Sequence, residues 1–229
     1  MKYVFACVAS LLTTCSAPDR PATTAPHPVA TVAARVRPDT AAVYQFLRQT
    51  TPMSFRDHHD VRGGPSAYFL RYPYGLGSMV TEHLTGPDTG PSQLGNRFYR
   101  TPAAVLREFR QQLQHLDTAA LRRWEWQPAH LPRLVLVRGY NDTLPASLAA
   151  SAPPRQRPRI EQAVRTWNRT PHDERFMEYA SVPLFTADGR YALVVRGQSQ
   201  PSVGWDSIFV YERTATGWKI IDASPLTTI

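Results

Sequence analysis

The stretch from Arg175 to Asp222, RFMEYASVPLFTADGRYALVVRGQSQPSVGWDSIFVYERTATGWKIID, decides the fold class. In YALVVRG, Tyr191, Leu193 and Val195 fall on one face of a strand. The Asp188–Gly189 pair before it is typical of a hairpin turn. QSQPSVGW is interpreted as a loop that holds Trp205, and DSIFVYER and WKIID flank a turn at TATG. We therefore predict four antiparallel strands in meander order, with apolar alternation covering one face of the sheet.

Helical patterns precede this sheet. Asp39 or Thr40 can cap a helix that runs through Gln49, Pro102 suits the first position of a second helix, and Asp117 can cap a short third one. A fourth helix is expected over RIEQAVRTWNR, Arg159 to Arg169. Short strands are expected in three further segments: AYFLRY, SMVTEHL and RLVLVRGY. The fold class is thus α+β, a C-terminal meander of about four strands packed with three to four helices in a single domain, residues 39–229.

The N-terminus has the order of an export signal. Lys2 supplies an early positive charge, an apolar run follows from Tyr3 to Leu12, and small residues come next. The run is about ten residues long, whereas a membrane-spanning helix needs roughly twenty. We expect residues 1–14 to be a signal peptide that is removed.

Two cleavage schemes are open. LTTC, ending at Cys15, resembles the lipobox of bacterial lipoproteins, in which the chain is cut before a cysteine that carries a diacylglyceryl thioether. Thr14 departs from this pattern, because Gly, Ala or Ser usually precedes the cysteine. In the other scheme the cut follows Ala17 and leaves a soluble periplasmic or secreted protein. We favour a protein anchored in the cell envelope by a lipid on Cys15, with the membrane as its partner.

Residues 15–38 are rich in Pro, Ala and Thr and poor in large apolar groups. Such a segment buries too little surface to offset its ordering entropy, and it is interpreted as a tether. The chain has only two cysteines, Cys7 in the apolar run and Cys15. No cysteine therefore remains for a disulfide, a metal site or a nucleophile in the folded body.

The C-terminal pattern resembles a group of uncharacterised exported or lipid-anchored proteins from Bacteroidetes-type bacteria, over roughly the last quarter of the chain. In that group a Ser-x-Pro-Ile/Leu-Phe strand precedes an Asp-Gly-x-Tyr-Ala turn and strand, and a Gly-x-Trp-Lys strand closes the chain. The positions that fit are Ser181, Pro183, Leu184, Phe185, Asp188, Gly189, Tyr191, Ala192, Gly217, Trp218 and Lys219. The resemblance implies an exported location and a sheet of this type, and it implies no activity.

The chain is basic, with 26 Lys and Arg against 18 Asp and Glu and a net charge of +8. Nearly all of the positive charge is arginine, and close groups occur only at Arg122–Arg123 and at PPRQRPR. No basic patch with interleaved aromatic residues of the kind used by single-strand binders is present. We predict no specific nucleic-acid partner and no cofactor, and we attribute the charge to compositional bias.

One cluster of chemically capable side chains stands out in FRDHHDVR, where Asp57, His58, His59 and Asp60 are consecutive. His and Asp serve as metal ligands and as general acids or bases. Consecutive histidines in a strand, however, point to opposite faces and cannot easily bind one ion. A solvated loop is the favoured interpretation, with no metal site. His172, in TPHDERF, is a further candidate for the same chemistry.

Two functions remain open. The favoured one is a non-enzymatic binding or structural domain that contacts a protein or glycan through its sheet face or near Trp205, the tryptophan expected to be exposed. The four tryptophans at positions 124, 126, 205 and 218 could line a ligand cleft, although core packing is their commoner use. The alternative is a periplasmic hydrolase-like enzyme that uses Asp57, His58 and His59.

Overall fold

The computed structural model describes residues 39–51, 68–76, 80, 83–84 and 98–228, which lie in the compact unit Ala34–Ile229. The strands described are β1 Tyr68–Leu70, β2 Val135–Val137, β3 Met177–Ala180, β4 Leu184–Phe185, β5 Tyr191–Gln200, β6 Val203–Thr214 and β7 Gly217–Thr228. The α-helices described are α1 Thr40–Thr50, α2 Ala103–Gln114, α3 Thr118–Arg122, α4 Ser147–Ala150 and α5 Arg157–Arg169. Short 3-10 helices occupy Pro128–His130 and His172–Glu174.

All seven strands form one mixed sheet in the order β2-β1-β3-β5-β6-β7, with β4 also paired to β5. β1 runs parallel to both β2 and β3, and the remaining pairs are antiparallel. The predicted α+β class is confirmed. The prediction of a purely antiparallel meander is wrong, because two short strands from earlier in the chain extend the sheet in parallel.

The long hairpin of β5 and β6 corrects the expected loop at QSQPSVGW. Cross-strand pairing continues to Gln200↔Val203, so that only Pro201 and Ser202 form the turn. Trp205 therefore lies on β6, opposite Gln198, and not in a loop. The predicted turn before β5 is confirmed, because Gly189 adopts a φ of 65°, which favours glycine.

The strand expected over FMEYASVPLF is interrupted at Ser181, which separates β3 from β4. The Ser181 amide donates to the Val195 carbonyl at 2.8 Å, and the Val195 amide donates to the Ser181 Oγ at 3.0 Å. A side-chain oxygen thus replaces one backbone acceptor of the ladder. β3 and β4 both pair with β5, with Ser181 bridging the interruption.

Helices cover both faces of the sheet. On one face, α2 packs over the middle of β5 and β6, and α5 packs over β1 and β2 through Ile160, Val164 and Trp167. On the other face, α1 packs over β5 to β7 through Val43, Phe46 and Leu47. Strand alternation accounts for the division, since neighbouring residues of one strand reach opposite cores.

The predicted helices are confirmed with small changes of boundary. Asp39 caps α1 by accepting from the Ala41 amide at 2.9 Å, and Asp117 caps α3 by accepting from the Ala120 amide at 3.0 Å. The strand expected over SMVTEHL is wrong, because the residues described there, Val80, His83 and Leu84, are helical. In the part of the chain that the structure describes, no helix has the length and apolar character needed to cross a bilayer.

Candidate functional site

An open cleft of about 400 Å³ lies where the start of α1, the end of α2 and the turn between β4 and β5 meet. Its lining combines aromatic rings, amides and both signs of charge: Asp39, Ala42, Gln45, Phe46, Gln112, Leu184, Phe185, Thr186, Ala187, Gly189, Arg213 and Trp218. The volume is within the range of small-molecule sites. We call this the α1 cleft.

Three aromatic rings from three elements form the floor of the α1 cleft. The Phe46 ring packs edge-on against Trp218 at 5.2 Å and against Phe185 at 5.7 Å, and the Phe185 and Trp218 ring centroids lie 6.0 Å apart. Phe46 and Trp218 are buried and Phe185 is partly buried. The three rings contact one another and so form a continuous aromatic floor.

One wall of the α1 cleft is held by hydrogen bonds from α2. Gln112 Nε2 donates to the Phe185 carbonyl at 2.8 Å, and Glu108 accepts from the Ala187 amide at 2.6 Å. The turn itself is closed by Thr186, whose hydroxyl donates to Asp188 at 2.6 Å. That bond and the Arg190 amide lower the pKa of the exposed Asp188 carboxyl. The wall is therefore preorganised, while Gln45 and Arg213 on the rim are exposed.

A second polar group of residues occupies one end of the sheet, near the turn between β5 and β6. On the face that α1 covers, Glu178, Gln198 and Trp205 stand side by side on β3, β5 and β6, and Trp205 Nε1 donates to Gln198 Oε1 at 3.3 Å. Trp205 is partly buried, whereas Val203, two residues before it, is 49% exposed. The predicted contact residue is thus at the surface edge of a buried polar row.

Arg196 of β5 lies two residues before Gln198 on the same face of the sheet, and it is buried, at 1% exposure. Its guanidinium donates to the Thr50 hydroxyl and to the Thr50 carbonyl, and it lies over the rings of Phe46 and Tyr211. The arginine therefore ties the end of α1 to the centre of the sheet. Neither the charge nor its partner was anticipated from the sequence, since Arg196 sits in a strand of ordinary alternation.

Glu178 of β3 is a buried carboxyl at 5% exposure, and its Oε2 has no hydrogen-bond partner. Burial raises the pKa of Glu178 from its ordinary value of 4.5 to about 8, against an opposing effect of the Arg196 charge, which lowers it. Burial therefore favours the protonated form of the side chain. A neutral carboxyl is tolerated in a core far better than a carboxylate.

The opposite face of the same sheet end carries stacked tyrosines. Tyr179 donates to Asp206 at 3.0 Å, and its ring is stacked on Tyr74 with centroids 4.9 Å apart. Burial and the Asp206 carboxylate raise the pKa of Tyr74 to about 12 and raise that of Tyr179 further. The Tyr179 ring covers Gly197, where any Cβ would collide with it. Tyr179 thus contacts β5, β6 and the Tyr74 ring.

One histidine contacts a serine: His83 Nε2 lies 2.6 Å from the Ser224 hydroxyl of β7. Ser224 is fully buried, so that its hydroxyl cannot reach a substrate in this structure. His130 stacks on Tyr44 with centroids 4.5 Å apart, and His172 is exposed in its 3-10 helix. Within the described residues, no three His, Cys, Asp or Glu side chains form a group that could hold a metal ion.

Several candidates from the sequence lie outside the described residues: Cys15 and the cluster Asp57, His58, His59 and Asp60. Of the four tryptophans considered for a cleft, Trp218 lines the α1 cleft, Trp126 is fully buried, and Trp124 is partly buried beside it. Trp205 lies on β6 and does not line the α1 cleft. The remaining polar residues of the cleft, Gln45, Gln112 and Arg213, carried no pattern that could have singled them out.

Comparison of the chain with family models, with curated proteins and with solved structures found no match in any of the three.

Proposed function

We propose that this chain is an exported envelope protein, anchored by a lipid on Cys15, whose folded body is a non-enzymatic domain that binds a glycan in the α1 cleft. The observation that carries the binding role is the cleft itself, about 400 Å³ with a floor of three mutually packed rings. The export part of the proposal rests on residues 1–38. The two parts are tested separately.

The chemistry of the rim favours a neutral, hydroxyl-rich ligand. A side-chain amide offers two donors and an acceptor, which matches hydroxyl groups that both donate and accept. Gln45 provides such an amide, and Asp39 and Arg213 place one charge of each sign at the rim. A strongly charged ligand would meet one of the two charges unfavourably, whereas a sugar can bond to either and lay an apolar ring face on Phe185.

That Trp205 contacts a ligand stays a prediction. Trp205 lies too far from the α1 cleft for one small ligand to contact both. Trp205 pairs with Thr228 at one end of the β6–β7 ladder, and Trp218 pairs with Arg213 near the other end. At about 3.3 Å per residue, eight residues along β6 separate these positions by roughly 25 Å. Variants at the two places therefore report on different sites.

The binding proposal predicts that Gln45→Ala weakens glycan binding about fivefold, which corresponds to one lost hydrogen bond of ordinary net strength. Calorimetry of the full chain against a panel of neutral oligosaccharides measures the affinity. Gln49→Ala is the matched control, because Gln49 is exposed on the same helix and does not line the cleft. Absence of binding across the panel, or a loss in Trp205→Ala with none in Gln45→Ala, would contradict the proposal.

The anchoring proposal predicts that Cys15→Ala removes lipid labelling. In a bacterial host fed radiolabelled fatty acid, the parent chain should be labelled and should sediment with membranes, and the variant should lose both properties. Cys7→Ala is the control, since Cys7 lies within the apolar run. Equal labelling of Cys15→Ala and the parent would refute the lipid on Cys15 and leave a periplasmic or secreted soluble protein cut after Ala17.

The alternative function, a hydrolase-like enzyme using Asp57, His58 and His59, depends on residues outside the described part of the chain. No contact described above favours it over the binding role. We therefore place the binding role first.

A further inference from the structure

We propose that the outer face of α5 docks on an anionic phospholipid bilayer. Five exposed arginines lie on α5 and the turn before it: Arg155, Arg157, Arg159, Arg165 and Arg169. We call this set the α5 cationic face. Five arginines and one glutamate give residues 155–169 a net charge of +4, half of the +8 that the whole chain carries. The arginines are therefore concentrated here, against the compositional explanation favoured from the sequence.

The fold turns these arginines outward. α5 buries Ile160, Ala163, Val164 and Trp167 against β1 and β2, and the Tyr68 hydroxyl of β1 donates to the Ala163 carbonyl at 2.9 Å. Because the helix repeats every 3.6 residues, Arg165 and Arg169 fall opposite this buried stripe, and Arg157 and Arg159 flank it on its two sides; all four are exposed. Thirteen helical residues give the face a length of about 20 Å.

Little of this charge is neutralised by neighbours. Glu161 lies 3.9 Å from Arg165, and both side chains are about half exposed, so that the pair is weak. Among the described residues, the other four arginines of the face make no ion pair. Asp173 and Glu174, in the 3-10 helix after α5, are exposed and lie at one end of the face only. The excess positive charge is thus available to an external anion.

The composition of the face argues against a single-stranded nucleic acid as its partner. Its exposed residues between 153 and 169 are arginines and uncharged polar or proline side chains, with no exposed aromatic ring on which a base could stack. Guanidinium groups bind phosphates by two hydrogen bonds, and clustered basic residues beside a bilayer attract anionic lipids. The contact needs neither the lipid on Cys15 nor the glycan site.

No residue of α5 lines the α1 cleft, so that the two sites use different surfaces of the domain. A domain held in this way could bind a glycan while it rests on the lipid surface.

Vesicle sedimentation of the full chain tests the proposal. Phosphatidylcholine vesicles are compared with vesicles that also contain phosphatidylglycerol, and all variants share residues 1–38, so that differences between variants report on the body. The triple variant Arg157→Gln, Arg159→Gln and Arg165→Gln should bind the anionic vesicles about a hundredfold less tightly, since each basic residue near such a surface contributes about fivefold. Molar salt should abolish the parent's preference for anionic vesicles.

The matched control is Arg107→Gln, Arg122→Gln and Arg123→Gln, which removes the same charge from exposed positions outside α5 and outside the α1 cleft. It should retain most of the binding to anionic vesicles, and circular dichroism should show both triple variants folded. If both triple variants lose binding equally, net charge and not α5 is responsible, and the proposal is wrong. It is also wrong if the parent shows no preference for anionic vesicles. A parallel measurement with duplex DNA would contradict it if the α5 variant lost binding to the DNA but kept its binding to anionic vesicles.

Discussion

Glu178→Gln is expected to make the protein more stable at alkaline pH while leaving its stability in mild acid nearly unchanged. Glu178 is buried, and burial raises its pKa from 4.5 to about 8. Glutamine has the shape of the protonated carboxyl and never ionises. Chemical denaturation at about pH 5 and about pH 9 should show a difference between parent and variant that grows to at most about 5 kcal/mol at the higher pH.

The direction follows from proton binding in the two states. The unfolded chain releases the Glu178 proton near pH 4.5, and the folded protein holds it until about pH 8. Between these values the folded state binds more protons, so that the free energy of unfolding decreases as pH rises. The stabilising contribution is complete below pH 4.5, and it is lost by the time pH exceeds about 8. The variant lacks this dependence.

Glu174→Gln is the control, because Glu174 is exposed just before β3 and makes the same change of side chain. It should follow the parent at both pH values. A Glu178→Gln variant whose stability differs from the parent by the same amount at pH 5 and pH 9 would show that Glu178 does not titrate on unfolding as inferred.

The sequence predicted the elements whose signals are local. Asp39 and Asp117 each cap the helix expected after them, and the Asp188–Gly189 pair forms the turn expected before β5. In each case the deciding interaction lies within a few residues. A capping carboxylate and a glycine with positive φ act on their own neighbours, so that no knowledge of the rest of the fold is needed.

The parallel part of the sheet could not be predicted in this way. β1 and β2 are three residues each, and their register, Tyr68↔Val135, joins segments far apart in the chain. Their place is decided by α5 and by the cores on both faces, which are tertiary features. The prediction of a strand over SMVTEHL is also wrong. Its apolar residues Val80 and Leu84 fit one side of a helix as well as a strand, and here they pack on the sheet from a helix.

The prediction of a loop around Trp205 is wrong because the composition of QSQPSVGW is typical of loops. Gly204, Ser199 and Ser202 surround Pro201, and such residues usually mark irregular structure. The pairing partners of β5 and β6 are supplied by the hairpin itself, and the strands continue through the polar residues to a two-residue turn. The α1 cleft could not be predicted from the sequence either, since Phe46, Phe185 and Trp218 come together only when α1 packs on the sheet.

Gly197→Ala is expected to destabilise the protein by about 3 kcal/mol or more, the upper part of the range for overpacked cores. A Cβ on Gly197 would lie 2.5 Å from the Trp205 carbonyl oxygen and closer still to Cζ and Oη of Tyr179. The Trp205 carbonyl belongs to the backbone and cannot move away from the new Cβ as a flexible side chain would. Moving the Tyr179 ring away would break its hydrogen bond to Asp206. Chemical denaturation monitored by circular dichroism measures the loss.

Gly139→Ala is the matched control for Gly197→Ala. A Cβ at Gly139 meets nothing within 4 Å, and its φ is not in the left-handed region, so that the free energy of unfolding should change by less than about 0.5 kcal/mol. Equal stabilities of Gly197→Ala and Gly139→Ala would refute the close packing of Tyr179 on β5. A large loss confined to Gly197→Ala would mean that this position needs glycine because two strands and the Tyr179 ring meet there.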